Sequence, residues 1–397
     1  MHSIRYGTMK EINTKFENDI FTAVLSGHID SSNAAQAEAE INAALTGHDG
    51  CPVVVDAKEL EYISSAGLRV LLRLKKAHDD LKVVNVSSEV YETLSMTGFT
   101  EIMDVSKAYR KLSVDGCKVI GQGANGKVYR YDADTIIKVY FDPDSLPDIQ
   151  RERELARKAF VLGIPTAISY DVVMVGDGYG SVFELLSASS FAEIVQTHPE
   201  RIDEIVGMYV DLLKQIHSTE VTPGDLPDMK EKVLSWADSI KDILPSAVYG
   251  KLVSLIKNVP DRNTMLHGDY HLKNVMLQNG EAILIDMDTL CCGHPVFEFA
   301  TAYLAYLGYS ELDHNNVKEF LGIDYELSEQ IWNKIMRAYF GTDDQAVLDG
   351  YLSKAKVVSY VRMLRRLIRH DPDNVQMIDH CIRELCSLAD KTDSLEF

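Results

Sequence analysis

Cysteine and proline are scarce in this chain, at 6 and 11 of 397 residues, and tryptophan occurs twice. The cysteines (Cys51, Cys117, Cys291, Cys292, Cys381, Cys386) form no CxxC pair and no zinc-ligand spacing. Neither a metal finger nor a disulfide framework is therefore expected, and they read as reduced thiols of a cytoplasmic protein. The adjacent pair Cys291–Cys292 reads as part of a loop rather than as a redox couple. No stretch approaches the ~18 uninterrupted apolar residues of a membrane span, and the opening MHSIRYGTMKEINTKF has no apolar centre of a secretory signal. Internal repeats, low-complexity segments and Pro/Ser-rich linkers are also missing. Basic residues are outnumbered, 40 Lys+Arg against 60 Asp+Glu, for a net charge of −20. Such a surface repels polyanions, which argues against nucleic acid as a partner.

What is present is ordinary globular material, 46% hydrophobic and 25% charged, which excludes a mainly disordered polymer. The length suits two or three domains at ~100–200 residues each, and a core of that size needs no staple. Residues 1–112 carry 12 basic against 16 acidic side chains (net −4), and the remainder 28 against 44 (net −16). The strong acidity of the remainder tilts expectation toward a cationic ligand.

Strand and helix signals alternate through the first hundred residues. KEINTKF and IFTAVLSG flank Asn18-Asp19 as a hairpin. Residues 32–45 have helical composition, PVVVD (Pro52–Asp56) is a buried strand, and Leu68, Leu71 and Leu72 place an apolar stripe on a helix starting near Ser65. LKVVNV is another strand and residues 88–97 another helix. The alternation predicts an α/β sheet with packed helices. From about Ser113 the pattern changes: two strands around Asp132-Ala133-Asp134, then after about residue 187 mostly helix, apart from 264–290. The expected domains are 1–113 and 114–397, the second split into a β-rich lobe (114–186) and a helical lobe (187–397).

Gly121-Gln122-Gly123-Ala124-Asn125-Gly126 spells GxGxxG. In a dinucleotide-binding fold that motif opens a helix and is followed by an acid about 20 residues on; Asp142 has that spacing. The aromatic and β-branched residues around the DAD turn argue instead for strand–turn–strand, a hairpin whose backbone N–H groups cover phosphates. Lys138 lies inside the second apolar strand and needs a partner. It is either a lysine snorkelling from an edge strand or a bridge between phosphates and a helix glutamate. Glu152 or Glu154 would serve, two apart and so on different faces; Glu152 is preferred.

The string His267-Gly268-Asp269-Tyr270-His271-Leu272-Lys273-Asn274 is followed, 12 residues after Asn274, by Asp286 in Ile285-Asp286-Met287-Asp288. Phosphoryl transfer calls for such a set. One carboxylate (Asp269) accepts the proton of an attacking hydroxyl, while an amide oxygen (Asn274) and a second carboxylate (Asp286) hold Mg²⁺ on the phosphates. Hard oxygen ligands suit that ion.

On these residues the chain from 114 onward resembles the aminoglycoside phosphotransferase-like kinases, a group that includes choline and related small-molecule kinases. The resemblance implies an α+β bilobal, protein-kinase-like fold that binds ATP and Mg²⁺. It implies ATP contacts from Gly121, Gly123, Asn125, Gly126, Lys138 and Glu152. A hinge at Val182–Leu186 (Glu184, Leu186) would meet adenine, Asp269 would be the catalytic base, Asn274 and Asp286 metal ligands, and Asp288 a second acid on the metal. Where the family usually has Asp bracing the catalytic loop, this chain has Glu298. Gly268 replaces the arginine of protein kinases, and little chain separates Asp286 from the next apolar helix. Both favour a small hydroxyl-bearing acceptor over a protein, with an amine or aminosugar suggested by the net charge. Arg362, Arg365, Arg366 and Arg369 share one helix face, read either as solvated or as a dock for an anionic partner or the other domain.

Val53–Asp56, Tyr62–Leu72 and SGHID (Ser26–Asp30) resemble the STAS domain of anti-sigma-factor antagonists over about residues 9–112. There a serine at the start of the helix is phosphorylated and controls a protein partner; the matching residue is Ser65, preceded by Ser64 where many antagonists carry an acid. A serine at that place is first an N-cap, and a phosphate on it would meet the positive end of the helix dipole. Two functions follow: a phosphotransferase with a fused regulatory or docking domain, or a signalling module whose output is partner binding by the STAS-like part. A degenerate ATP-binding scaffold is disfavoured by the full set Lys138, Asp269, Asn274 and Asp286.

Overall fold

Asn18 and Asp19 both take left-handed backbone (φ 53° and 61°), the geometry of a two-residue hairpin turn. They join strands Asn13–Glu17 and Ile20–Ile29 in antiparallel register. The computed structural model describes residues 12–397 other than 49, 124 and 187. The start of the KEINTKF run and Ala124 of the glycine-rich run therefore lie outside the described residues. The chain divides into two units, Met1–Leu112 and Ser113–Phe397.

The first unit is an α/β sheet of five strands. Ile20–Ile29 pairs in parallel with Val53–Ile63, which pairs in parallel with Lys82–Val86 and then Asp104–Lys107. Helices Ala34–Leu45, Ser65–Ala77 and Ser88–Met96 connect them. Their inward residues (Ile41, Leu71, Leu74, Leu94) share one core with Phe21, Ala23, Val53 and Val55 of the sheet. The apolar stripe of Ser65–Ala77 is Leu68, Leu71 and Leu74 with Val70; Leu72 is only half-buried. Gly67 lets this helix approach the sheet, since a Cβ there would stand 2.7 Å from Ile63 Cγ1 and 2.8 Å from Ile29 Cγ2.

The second unit opens with antiparallel strands in the order Lys118–Gln122, Gly126–Arg130, Thr135–Tyr140, Gly178–Glu184 and Asp171–Val175. Helix Leu146–Val161 packs alongside and buries Ile149, Leu155 and Ala159, together with Glu152. Gly121–Gly126 joins two strands, with Gly123 N–H donating to the Gly126 carbonyl (3.0 Å), and opens no helix. Asp142 only holds its local turn, accepting from Asp144 N–H (2.9 Å). The dinucleotide-binding alternative thus has no place in this fold.

Beyond it the unit is largely helical. Ile202–Ser218 turns Ile205, Tyr209, Leu212, Leu213 and Ile216 inward at helical spacing, into a core completed by Phe299, Tyr306 and Trp332. A second core lies between Met229–Asp238, Ser246–Lys257 and the long helix Gln345–His370. Within this helical part, strands Val275–Gln278 and Glu281–Leu284 form a hairpin. Cys291 and Cys292 are not in a loop: they form a buried two-residue strand paired with Met265–Leu266. Burial raises both thiols above their ordinary range, which leaves them inert. No helix among the described residues is long and apolar enough to cross a membrane.

Candidate active site

A cavity of about 1170 Å³ in the second unit is lined by Gly121, Gly123, Asn125, Gly126, Lys138, Glu152, Glu184, Leu186, Asp269, Asn274, Asp286 and Asp288. The hairpin, the middle of the sheet, the helix Leu146–Val161 and the loops at each end of Val275–Leu284 each contribute. Gly126 is required by close approach: a Cβ there would lie 2.3 Å from the Val139 carbonyl oxygen. A Cβ at Gly123 would meet nothing within 4 Å.

Lys138 is not a snorkelling edge lysine. Its strand is flanked on both sides, and its ammonium lies 3.1 Å from Glu152 Oε1 and 2.8 Å from Asp286 Oδ1. Burial alone would lower its pKa; the carboxylates of Asp286 and Glu152 outweigh that and raise it, so it stays charged. Glu152 is fixed from its other side by the Tyr140 hydroxyl, which donates to Oε2 (2.9 Å). Glu154 points elsewhere, to Lys158 one turn on (3.2 Å).

Asp286 adopts left-handed backbone (φ 62°, ψ 65°) at the end of the hairpin, a conformation uncommon for a residue with a Cβ and concentrated at functional sites. Asp288 follows in a short 3-10 turn, and Asn125 donates to its Oδ2 (3.4 Å). Burial first, and then the nearby carboxylates of Asp286 and Glu152, push its pKa up to about 7.

The loop that carries Asp269 is held by its own backbone. Glu298, 1% exposed on helix Pro295–Tyr306, accepts from His267 N–H (2.5 Å) and Gly268 N–H (2.9 Å). Thr289 donates to the His267 carbonyl (2.8 Å) and Asn274 to the Asp269 carbonyl (3.0 Å). Gly268 has φ 82°, and a Cβ would strike the Thr289 carbonyl oxygen at 2.5 Å, so glycine is needed there. Burial would raise the Asp269 carboxyl, but His271, Arg362 and His267 together hold it well below the usual range.

A sequence model of the phosphotransferase enzyme family matches residues 116–326. The chain belongs to that family. A STAS-domain model matches residues 11–113, so this phosphotransferase carries a STAS domain as its first unit. That part is 38% identical over 90 residues to a Bordetella bronchiseptica protein named as an anti-sigma factor antagonist, BtrV, covering 22% of this chain and 77% of that protein. Similar solved structures include the gentamicin complex of the aminoglycoside phosphotransferase APH(2")-IIa (14% identity, 76% of this chain and 96% of that one, TM-score 0.46). Another is a choline/ethanolamine kinase family protein from Mesorhizobium loti (15% identity, 68% and 87%, TM-score 0.45).

In this phosphotransferase two cavity residues escaped the motif reading. Arg362 Nη1 donates to the Gly268 carbonyl (3.1 Å), and its Nη2 lies 3.6 Å from Asp269 Oδ1. Its guanidinium and that of Arg365 cover the Trp236 ring at 5.6 and 5.9 Å, so this helix face is neither simply solvated nor free. His271 is buried, with Nε2 3.4 Å from Asp269 Oδ2 and no partner for Nδ1 among the described residues. It sits inside the motif, but nothing in the spacing marks which way its ring turns. Ser65, in the STAS unit, is exposed at the first helical position. The cap expected of it is made by Ser64, whose Oγ accepts from Ala66 N–H (3.1 Å).

Proposed function

We propose that the second unit, residues 114–397, transfers the γ-phosphoryl group of ATP to a hydroxyl of a small molecule. What carries this reading is the junction of Lys138 with Glu152 on one side and Asp286 on the other, on the wall of a cavity that also holds Asp269 and Asn274. A fixed ammonium bound to two carboxylates from distant segments is the arrangement that positions a nucleotide's phosphates.

The donor set fits Mg²⁺ rather than a protein-only cage. Among the described residues no three His, Cys, Asp or Glu side chains gather to hold a metal. Mg²⁺ takes one or two carboxylates and fills the rest of its octahedron with water and phosphate oxygens, which Asp286, Asp288 and Asn274 can complete. When bound, the ion would neutralise charge that develops on the phosphates. Lys138 binds phosphate oxygens, the Gly121–Gly126 turn covers them with backbone N–H groups, and Glu184 to Leu186 border the adenine. Asp269 takes the proton of the attacking hydroxyl; Glu298 and Arg362 keep its loop in place.

The test is ADP release by the purified chain with MgATP and a panel of hydroxyl compounds. Asp269→Asn is expected to lower it by ~10²–10⁴-fold, and removal of Mg²⁺ by chelation to abolish it. Turnover that survives both treatments overturns the reading. For the STAS unit we propose a protein partner, with exposed Ser65 as phosphoacceptor. It is supported by the similarity to the antagonist and by a helix N-terminus able to accommodate a phosphate. Loss of capture on Ser65→Asp, with capture retained by Ser65→Ala, is expected for a single tested antagonist-binding protein.

A further inference from the structure

The far wall of the cavity, beyond Asp269, has a chemistry that the overall charge conceals. Helix Gln345–His370 lays Arg362, Arg366 and His370 along it at four-residue intervals. At ~1.5 Å rise per residue these stand about 6 and 12 Å along the helix from Arg362. Arg362 is committed to the Gly268 carbonyl and to Asp269. Arg366 is exposed in the cavity, its guanidinium 5.7 Å from the Tyr309 ring, and has no carboxylate partner among the described residues. Lys273, on the same cavity, extends over the Phe320 ring at 5.1 Å, likewise without a carboxylate partner among the described residues. The acid on this stretch of wall, Asp371, is engaged in a turn, accepting from Asn374 Nδ2 (3.0 Å).

Building on the phosphotransferase reading above, we infer that the acceptor is an anionic hydroxyl compound whose carboxylate or phosphate is held by Arg366, with Lys273 adding positive charge and His370 a ring N–H donor. The hydroxyl to be phosphorylated lies at Asp269, and the anionic group about 6 Å along the helix beyond Arg362. Local charges decide this rather than the net −16 of residues 113–397, because charges more than about 8–10 Å away through solvent are largely screened. A planar guanidinium without a carboxylate partner is suited to two-point recognition of either oxyanion. Glu152, Asp286 and Asp288 belong to Lys138 and the metal-nucleotide, and Asp269 to Arg362 and the reacting hydroxyl, so the cavity is divided by charge.

The experiment uses the full chain and size-matched hexose probes: glucuronate and glucose 6-phosphate, neutral glucose, and cationic glucosamine. ADP release with MgATP is read beside the melting-temperature shift in MgADP. An anionic probe is expected to be favoured over neutral and cationic ones by at least about tenfold in kcat/KM or apparent affinity. Arg366→Glu should cost that preference about tenfold or more, chiefly in KM, while Arg366→Lys retains most of it. Glucuronate against glucose 6-phosphate distinguishes carboxylate from phosphate. The inference is overturned by preference for a neutral or cationic probe, by an anion preference indifferent to Arg366→Glu, or by silence of every probe while MgADP still shifts the melt. A chain that fails to respond to MgADP at all refutes the nucleotide reading itself, and the inference with it.

Discussion

Glu298 accepts both the His267 and the Gly268 backbone N–H, at 2.5 and 2.9 Å, from a helix that is fully buried at that point. Its longer side chain does for the loop what a brace must do: it satisfies two amides that water cannot reach. Burial would raise its carboxyl, but His217, 3.8 Å away, and His267 with its N–H keep it ionised.

Glu298→Ala leaves two buried donors unpaired, at ~1–3 kcal/mol each. The expected outcome is a loss of about 2–6 kcal/mol in urea unfolding and loss of ADP release. Glu298→Asp is one methylene short and should fall between the variant and the wild type in both. A variant Glu298→Ala as stable and active as wild type refutes the bracing role.

Lys138 and Glu152 form the second test, because here loss of function should not mean loss of fold. Lys138→Met removes the ammonium that the phosphates would meet and should lower kcat/KM for ATP by ~10²–10³-fold. Glu152→Gln keeps the shape and the hydrogen bond from Tyr140 but releases Lys138 toward Asp286. Its expected signature is a raised KM for ATP with a smaller change in kcat. Wild-type kinetics in both variants would show that the trio is structural only.

His294 is expected to weaken the fold in acid. It caps helix Pro295–Tyr306 by accepting Val296 N–H on Nδ1 (3.1 Å), is 1% exposed, and has no partner for Nε2 among the described residues. Burial, aided by the positive charge of Arg262, lowers its pKa from an ordinary 6.5 to about 4. The unfolded chain thus takes up a proton near pH 6.5 that the folded chain refuses until about 4. Stability is full above pH 6.5 and declines as pH falls through that window, by up to ~3 kcal/mol. Urea midpoints at pH 7.5 and 5 should show the decline, and His294→Asn, which keeps a capping acceptor, should lessen it. Equal declines in both proteins assign the effect to other groups.

The fold classes of both units were legible because they rest on local periodicity: alternating strands and helices before Ser113, and strand–turn–strand followed by helices after it. The strings around Gly121, Lys138, Asp269 and Asp286 are each local, and their order along the chain with the family resemblance groups them. Arg362 is different. It reaches Gly268 across 94 positions, and from sequence its four-arginine face looked the same whether it met water, a partner or a cavity. Glu298 shows a related limit: the family resemblance implies where a brace should be, but whether a longer acid reaches two amides is a matter of packing. The cap at Ser64 rather than Ser65 is the familiar one-residue uncertainty at a helix start.

The glycine-rich turn offers a paired test that separates fold from ligand. At Gly126 an added Cβ would collide with the Val139 carbonyl oxygen at 2.3 Å, a backbone atom that cannot swing away. Gly126→Ala must therefore pry the strand Gly126–Arg130 from Thr135–Tyr140. The expected loss is ~1–3 kcal/mol, the usual range for overpacking, and Lys138 would be displaced with its strand. At Gly123 an added Cβ meets nothing within 4 Å and the residue lines the cavity. Gly123→Ala should melt within a degree or two of wild type. If backbone N–H groups of this turn cover phosphates, its methyl group nevertheless obstructs them, and KM for ATP should rise by about tenfold. Unfolding curves and ATP kinetics on the two variants are expected to dissociate: stability lost at Gly126, nucleotide affinity lost at Gly123. A Gly123→Ala enzyme with unchanged KM for ATP would move the phosphates away from this turn and leave Lys138 to hold them alone.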